Sequence, residues 1–394
     1  MSSLGRRRVL LPLLIAVGLL AGLAGGGAHA EAPDHLPAAG DVVRVESLPE
    51  ASWVPGVTAA AYRLTYVTTD TFGRPATSTG AVFVPQGTVP AGGWPVLAWA
   101  HGTTGLADTC APSASPAMFT PTSRAYLRTW MEQGYAVVAS DYAGLGTPGP
   151  HAYLDAEAAA HNVVDMVRAG HAFGAGLPPG QRLSNRWVAL GQSQGAGAAI
   201  ATARQATALG GPTLSYLGAV GTGTPAYIDR LLLAFGPGLP PVPVLPDKMT
   251  AYLAYLLASL DTARPALRLD TFLTARGRDA LAKARTLCLD DLAAAVHGHG
   301  IGEWLTRPLV AVPGFAATVV DYLGMPVTGF DRPLFLGHGL LDVDVPVPAT
   351  AAYVATLTLT GQPVTFRTYP TDHRGTMTAA LQDSVPFVAR LFAG

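Results

Sequence analysis

A serine between two glycines is the residue of this chain with the clearest chemical potential. Residues 191–195 read Gly-Gln-Ser-Gln-Gly, with the apolar run 186–190 before them and the small residues 196–204 after them. This order predicts a buried strand, a tight turn and a helix, with Ser193 at the tip of the turn. A serine held there presents its hydroxyl at the edge of a sheet, where it can attack a carbonyl carbon. The glycines are required because side chains would collide across the bend.

A serine hydroxyl is a poor nucleophile at neutral pH, so a base and an orienting acid are needed as well. His373 follows the last predicted strand, and we predict that it is the base. Two acids, Asp342 and Asp344, lie in the loop after the preceding core strand. We choose Asp342 because it comes first, at the expected turn, and keep Asp344 as the alternative. His338 precedes this loop and is expected to pack beneath it.

Backbone N–H groups must also stabilise the oxyanion that such an attack creates, each typically contributing a factor of roughly 10² to 10³. One donor is predicted at Gln194, directly after the serine. The second is expected from the loop that begins at His101, which reads His-Gly-Thr-Thr-Gly. Its glycines allow close approach of a substrate, and either Thr103 or Thr104 would supply the donor.

The remaining elements must bring these residues together. Apolar strands alternate with helices, which predicts an α/β protein with a mostly parallel central sheet and helices on both faces. Residues 31–56 are expected to be an extended lead-in. The predicted elements are strands 62–67, 79–85, 95–101, 135–140, 186–190, 216–220, 333–339 and 364–369, and helices 123–133, 154–173, 196–204, 348–359 and 376–391.

The alternation stops between residues 229 and 330, which are mainly helical in pattern and predict a cap inserted into the core. Met249 to Leu260 is apolar almost all round but too short to span a bilayer. It is expected to pack within the cap, or to line an acyl site through side chains such as Tyr252. The predicted division is 1–30 signal peptide, 31–228 first part of the core, 229–330 cap and 331–394 second part of the core.

The N-terminus predicts export. Three arginines at 6–8 precede the apolar run 9–23, and Ala28-His29-Ala30 ends the segment as a cleavage site. We predict a signal peptide cleaved after Ala30 and a secreted mature protein. A membrane anchor is the alternative, and the arginines leave the choice between general and twin-arginine export open.

Cys110 and Cys288 are the two cysteines of the chain. An even pair in an exported protein favours a disulfide, with two unrelated buried thiols as the alternative. The net charge of −1 and the 13% of charged residues do not favour nucleic acid as a partner. His297 and His299 lack an acid or cysteine at ligand spacing, so neither a metal nor an organic cofactor is expected.

These motifs together resemble secretory lipases of the α/β-hydrolase fold, similar to Candida antarctica lipase A and its actinobacterial relatives. The resemblance covers most of the mature chain and implies a Ser193–Asp342–His373 triad, a helical cap over an acyl site, and a Cys110–Cys288 bond that ties the cap to the oxyanion loop. The chain lacks cysteines for a second, C-terminal disulfide of that lipase. The matching segments are 100–105, 110–113, 141–146, 191–195 and 342–346.

The resemblance implies hydrolysis of acylglycerols or other carboxylic esters through an acyl-enzyme. Transient contact with a lipid–water interface is a further expectation, and no protein partner is expected. Four alternatives remain open. The same triad could hydrolyse polyesters, transfer acyl groups between alcohols or cleave amides as a peptidase. From a different class, the chain could be a non-catalytic binding protein that keeps the fold.

Overall fold

The computed structural model describes residues 38–238 and 245–394. The predicted signal peptide and its cleavage site lie outside the described residues. Among the residues described, no helix is both long and apolar enough to cross a membrane.

Within residues 38–238 and 245–394, nine strands form one sheet in the order β1-β2-β3-β5-β4-β6-β7-β8-β9. The first three strands are antiparallel to their neighbours, whereas every pair from β5 to β9 is parallel. The strands are β1 Val42–Ser47, β2 Thr58–Thr69, β3 Pro75–Pro85, β4 Trp94–Ala100, β5 Ala136–Ser140, β6 Leu183–Gln192, β7 Ser215–Thr222, β8 Leu334–Gly339 and β9 Val364–Tyr369.

Helices cover both faces of this sheet, and each face buries its own hydrophobic cluster. The cluster on one face includes residues of α2, α3 and α9, and the cluster on the other face includes residues of α1, α10 and α11. The helices of the core are α1 Pro121–Glu132, α2 Ala156–Ala175, α3 Gln194–Gly210, α9 Val347–Leu359, α10 His373–Ala379 and α11 Leu381–Ala393.

A helical segment separates β7 from β8. We call the buried residues of this segment, together with Tyr153, the cap cluster; apart from Tyr153, its buried members lie between residues 232 and 323. The helices are α4 Ile228–Leu232, α5 Asp247–Ala263, α6 Ala275–Ala284, α7 Leu289–Ala295 and α8 Phe315–Leu323. The predicted domain boundaries at 229 and 330 remain a prediction, which these elements support.

Two elements differ from expectation. Residues 42–47 form edge strand β1 instead of an extended lead-in, because they pair along β2 in an antiparallel register. The expected C-terminal helix 376–391 is two helices that meet at Ala380. The first of these begins at His373, where Asp372 accepts a hydrogen bond from the Gly375 N–H at 2.7 Å. This cap starts the helix earlier than hydrophobic periodicity indicates.

Candidate active site

Ser193 lies on a sharp turn between β6 and α3, with φ 57° and ψ −122°. A non-glycine residue in such a sparsely populated conformation costs about 1–3 kcal/mol, so the surrounding structure must impose it. A Cβ atom at Gly191 would overlap the carbonyl group of Gly195, and one at Gly195 would overlap the carbonyl oxygen of Ala100. Only glycine fits at both positions. The turn is further held by a 2.9 Å hydrogen bond from the Ser193 N–H to the Thr222 carbonyl oxygen.

His373 and Asp342 meet at the same edge of the sheet. His373 Nδ1 lies 2.6 Å from Asp342 Oδ2, and both side chains are buried. The other carboxylate oxygen, Oδ1, accepts the N–H groups of Asp344 at 3.0 Å and Val345 at 2.8 Å. The structure therefore pairs His373 with Asp342. Asp344 contributes its backbone N–H to that carboxylate while its side chain lines the neighbouring cavity.

The surroundings of Asp342 favour its charged form. Burial by itself would raise the pKa of this carboxyl group, but hydrogen bonds from His338 and His373 lower it overall. His338 Nε2 lies 3.2 Å from Asp342 Oδ2 and 2.8 Å from the Val345 carbonyl oxygen, so its N–H is directed at both acceptors. His338 thus packs beneath the acid loop, as expected, and also supports the carboxylate directly.

The hydrogen bond from Nδ1–H to Asp342 leaves Nε2 of His373 as the ring atom that can accept a proton. This nitrogen is buried and has no hydrogen-bond partner among the described residues. The ring packs against Gly223, where an added Cβ would lie 2.8 Å from His373 Cε1. Gln192 Nε2 donates to the His373 carbonyl oxygen at 3.3 Å, which ties the helix that carries the histidine to the serine turn.

Ser193, His373 and the loop from His101 to Thr104 line one cavity of about 430 Å³, and Gln194 follows Ser193 directly in the chain. The backbone N–H groups of Gln194, Thr103 and Thr104 have no hydrogen-bond acceptor in the described part of the chain. A carbonyl carbon next to Ser193 could therefore place its oxygen towards free donors. Both threonines line the cavity, and the structure does not choose between them. This arrangement is suited to nucleophilic attack on a carbonyl group followed by proton transfer through His373.

Two buried aromatic residues that sequence reasoning missed contact the oxyanion loops. His151 Nε2 lies 3.2 Å from Gln194 Nε2, and the Tyr153 hydroxyl lies 2.7 Å from Thr103 Oγ1. Burial lowers the pKa of His151 from 6.5 to about 3, so its neutral ring accepts the Gln194 amide hydrogen. The sequence placed His151 near a helix start but offered no pattern to connect it with Gln194.

The helical segment between β7 and β8 contacts the predicted oxyanion loop. The Cys110–Cys288 disulfide, which the structure contains as expected, joins this segment to the residues that follow the loop. The Leu289 N–H, at the start of α7, donates to the Thr104 carbonyl oxygen at 2.9 Å. Ser259 Oγ of α5 accepts the N–H of Tyr153, whose hydroxyl contacts Thr103, at 2.8 Å. The helical segment therefore contacts Thr104 directly and Thr103 through Tyr153.

Asp141, the first residue after β5, is a buried carboxylate that holds a neighbouring segment of the chain. It is buried, and its Oδ1 accepts the Ser113 N–H at 2.9 Å while Oδ2 accepts the Thr79 hydroxyl at 2.7 Å. The Ser113 hydroxyl also donates to Oδ2. Asp141 thus fastens the segment that follows Cys110 to the sheet.

His297 and His299 each lie beside one acidic side chain. His297 is exposed and lies 2.9 Å from Asp247, and His299 lies 3.4 Å from Glu303. In the residues described, no group of three or more histidine, cysteine or acidic side chains could hold a metal ion.

Comparison with known proteins connects this geometry to solved structures. Candida antarctica lipase A superposes with a TM-score of 0.74 at 20% identity, covering 91% of this chain and 83% of the lipase. A ligand-bound form of the rice cell wall degrading esterase LipA from Xanthomonas oryzae superposes with a TM-score of 0.70 at 17% identity, covering 88% of this chain and 98% of LipA.

A putative hydrolase from Legionella pneumophila gives a TM-score of 0.66 at 19% identity, covering 89% of this chain and 98% of that protein. No protein-family model matches the chain, and neither does any curated protein. The likeness confirms the fold predicted from the sequence, which is the α/β-hydrolase fold, and it confirms the resemblance to these lipases at the level of structure.

Proposed function

We propose that this α/β-hydrolase-fold protein is a secreted serine hydrolase of carboxylic esters. One observation carries the proposal. Ser193, on a strained turn flanked by glycines, shares a cavity with His373, and Nδ1 of this histidine is hydrogen-bonded to the buried carboxylate of Asp342. The structural neighbours named as a lipase and an esterase support the same activity.

In the proposed reaction, Ser193 Oγ attacks the ester carbonyl carbon and transfers its proton to His373 Nε2. The Gln194 N–H and that of Thr103 or Thr104 bind the oxyanion. The bond to the alcohol oxygen then breaks, and the alcohol takes the proton from His373. Water repeats the sequence on the acyl-enzyme, releasing the carboxylic acid and restoring the serine hydroxyl. Asp342 keeps His373 in the required tautomer and stabilises its protonated form.

Secretion is part of the proposal. The N-terminal pattern predicts export, and the Cys110–Cys288 disulfide is typical of proteins that fold in an oxidising compartment. We infer that residues 229–330 act as a cap over the cavity, since Lys248, Tyr252 and Leu289 line it from that side.

The test is hydrolysis of p-nitrophenyl acetate and p-nitrophenyl butyrate by the purified protein and its Ser193→Ala variant. We expect Ser193→Ala to lose at least about 10³-fold in kcat, with unchanged circular dichroism. Lys283→Ala, on α6 at a half-buried position that does not line the cavity, is the control and should keep the parent rate. Activity retained in Ser193→Ala would refute the assignment.

A further inference from the structure

The apolar residues that line the cavity are concentrated on one side. Six buried side chains form what we call the apolar wall, and all belong to the hydrophobic cluster that α1 and α10 share with the sheet. The wall consists of Leu48, Ala81, Phe83, Trp99, Phe119 and Met377. It begins next to the catalytic edge, because Met377 lies one helical turn after His373.

The cap side of the cavity differs in character. Lys248 and Tyr252 of α5 line it, together with Asp344 from the loop after β8 and Arg374 from the first turn of α10. This rim opens to solvent: Arg374 is exposed, and Val343 beside it is 62% exposed. The sheet side of the cavity thus combines the apolar wall with polar groups such as Ser113 and Asp141, which are hydrogen-bonded to each other, whereas the cap side is polar and open to solvent.

The apolar residues of α5 do not form an acyl site, although the sequence left that reading open. Leu253, Leu256 and Leu257 are 5%, 2% and 1% exposed and belong to the cap cluster. None of them lines the cavity, and of the α5 residues considered for this role only Tyr252 does. Helical packing accounts for the other three.

We propose that the acyl group of the ester binds against the apolar wall, between the sheet and α1, and that the alcohol leaves across the polar rim below the cap. The proposal rests on the proposed ester hydrolysis. It names the substrate class as esters of one apolar acyl group with a polar or small alcohol.

The two steps of the reaction place the groups in this way. The acyl group is transferred to Ser193 in the first step and leaves only in the second, so a buried wall can hold it and stabilise it by removing its methylene groups from water. The alcohol must depart, and water must arrive, before the second step. Both need a path to solvent next to His373, which the rim with Arg374 and Val343 provides.

The volume of the cavity limits the length of the acyl chain that the site can hold. About 430 Å³ is near the lower end of the 300–1,000 Å³ typical of ligand pockets, and the rim takes part of it. One short or medium acyl chain fits such a site better than the three long chains of a triacylglycerol.

The experiment compares kcat/KM for p-nitrophenyl octanoate with that for p-nitrophenyl acetate, both below their solubility limits. The leaving group is the same, so the ratio reports the acyl site alone. Ala81→Leu fills part of the cavity beside the wall and should lower the octanoate-to-acetate ratio of kcat/KM about tenfold or more. Tyr252→Trp adds volume on the cap side and should change the ratio less than threefold. The opposite ranking of these two variants would overturn the proposal.

Phe119→Ala provides a second readout if Ala81→Leu folds poorly, because Phe119 lies in a loop before α1. Removing its ring lengthens the cavity along the wall and should raise the ratio of kcat/KM for the dodecanoate ester to that for the octanoate ester about tenfold. An unchanged ratio would count against the acyl site alone. Failure of the parent protein to hydrolyse any of these esters in a Ser193-dependent way would instead overturn both the proposed function and the acyl site.

Discussion

The catalytic edge of the sheet and the cap are ordered by different physical effects. At the edge, backbone sterics decide the structure: Ser193 has a positive φ, and Gly191 and Gly195 tolerate no Cβ atom. In the cap, burial of apolar side chains decides it, through the cap cluster. Steric requirements restrict residue types at fixed positions, whereas many apolar sequences satisfy burial. The catalytic turn can therefore be recognised in the sequence as a motif, whereas the cap can be recognised only from its apolar composition.

The two regions meet at the oxyanion loop. The cap contacts this loop through the disulfide, through Leu289 and through the Ser259–Tyr153 hydrogen bond. The contacts of His373 and Asp342 come instead from the core, through Gln192, Gly223 and His338. We infer that substitutions in the cap affect catalysis through the oxyanion loop. Substitutions at the catalytic edge affect the triad itself.

The largest expected effect on kcat distinguishes Asp342 from Asp344, the two acids at the catalytic edge. Asp342→Asn should lower kcat roughly 10⁴-fold, because an amide favours the wrong tautomer of His373. Asp344→Asn should cost less than tenfold, since only its backbone N–H contacts the carboxylate. Steady-state hydrolysis of p-nitrophenyl butyrate measures both. Comparable losses of kcat in the two variants would mean that Asp342 is not the one acid that orients His373.

The next effect tests how the cap is held. Replacing both Cys110 and Cys288 by serine should lower the free energy of unfolding by up to roughly 5 kcal/mol in the chain-entropy model, because the disulfide joins residues 178 apart. Denaturant unfolding measures this change. We expect kcat to fall much less than in Asp342→Asn, because the hydrogen bonds of the triad lie in the core. A loss of kcat as large as that of Asp342→Asn would show that the cap holds the triad too.

Buried His151 predicts a pH dependence of stability. Its pKa is about 3 in the folded protein and 6.5 ordinarily, so below pH 6.5 the unfolded chain binds a proton that the folded one does not. This contribution to stability is complete above pH 6.5 and is lost towards pH 3, by about 1.4 kcal/mol per pH unit. Burial lowers the pKa of His101 as well, which adds in the same direction.

His151→Gln removes this titration and keeps an acceptor for the Gln194 amide. Unfolding free energies measured between pH 7 and pH 4 should therefore fall less steeply in the variant than in the parent protein. Equal slopes would mean that the His151 pKa is not lowered in the folded state.

The smallest expected effect concerns the contact between the regions. Tyr153→Phe removes the hydroxyl 2.7 Å from Thr103 Oγ1, and loosening one oxyanion loop should lower kcat about three- to tenfold with little change in KM. Tyr322→Phe, which removes a hydroxyl bonded to Ser259 on the far side of this contact, is the matched control and should have a smaller effect. Equal effects on kcat in the two variants would argue against a role for Tyr153 in positioning Thr103.

The sequence predicted those parts of the molecule that depend on local rules. Apolar runs located β2 to β9, and the glycine-flanked serine located the turn at Ser193. Strand β1 was missed because its pattern is short and its pairing with β2 is not local. His151 and Tyr153 were missed because their partners, Gln194 and Thr103, are distant in sequence. The side of the cavity that is apolar could not be predicted, because it depends on how α1, α10 and the sheet pack in three dimensions.

The most direct test of the proposed nucleophile is covalent labelling with a fluorophosphonate probe, followed by mass spectrometry of the digested protein. We expect one modified site, on the peptide that contains Ser193. We also expect labelling to be lost in Ser193→Ala and strongly slowed in His373→Ala. Modification of a different serine, or labelling that persists in Ser193→Ala, would contradict the assignment of Ser193 as the nucleophile.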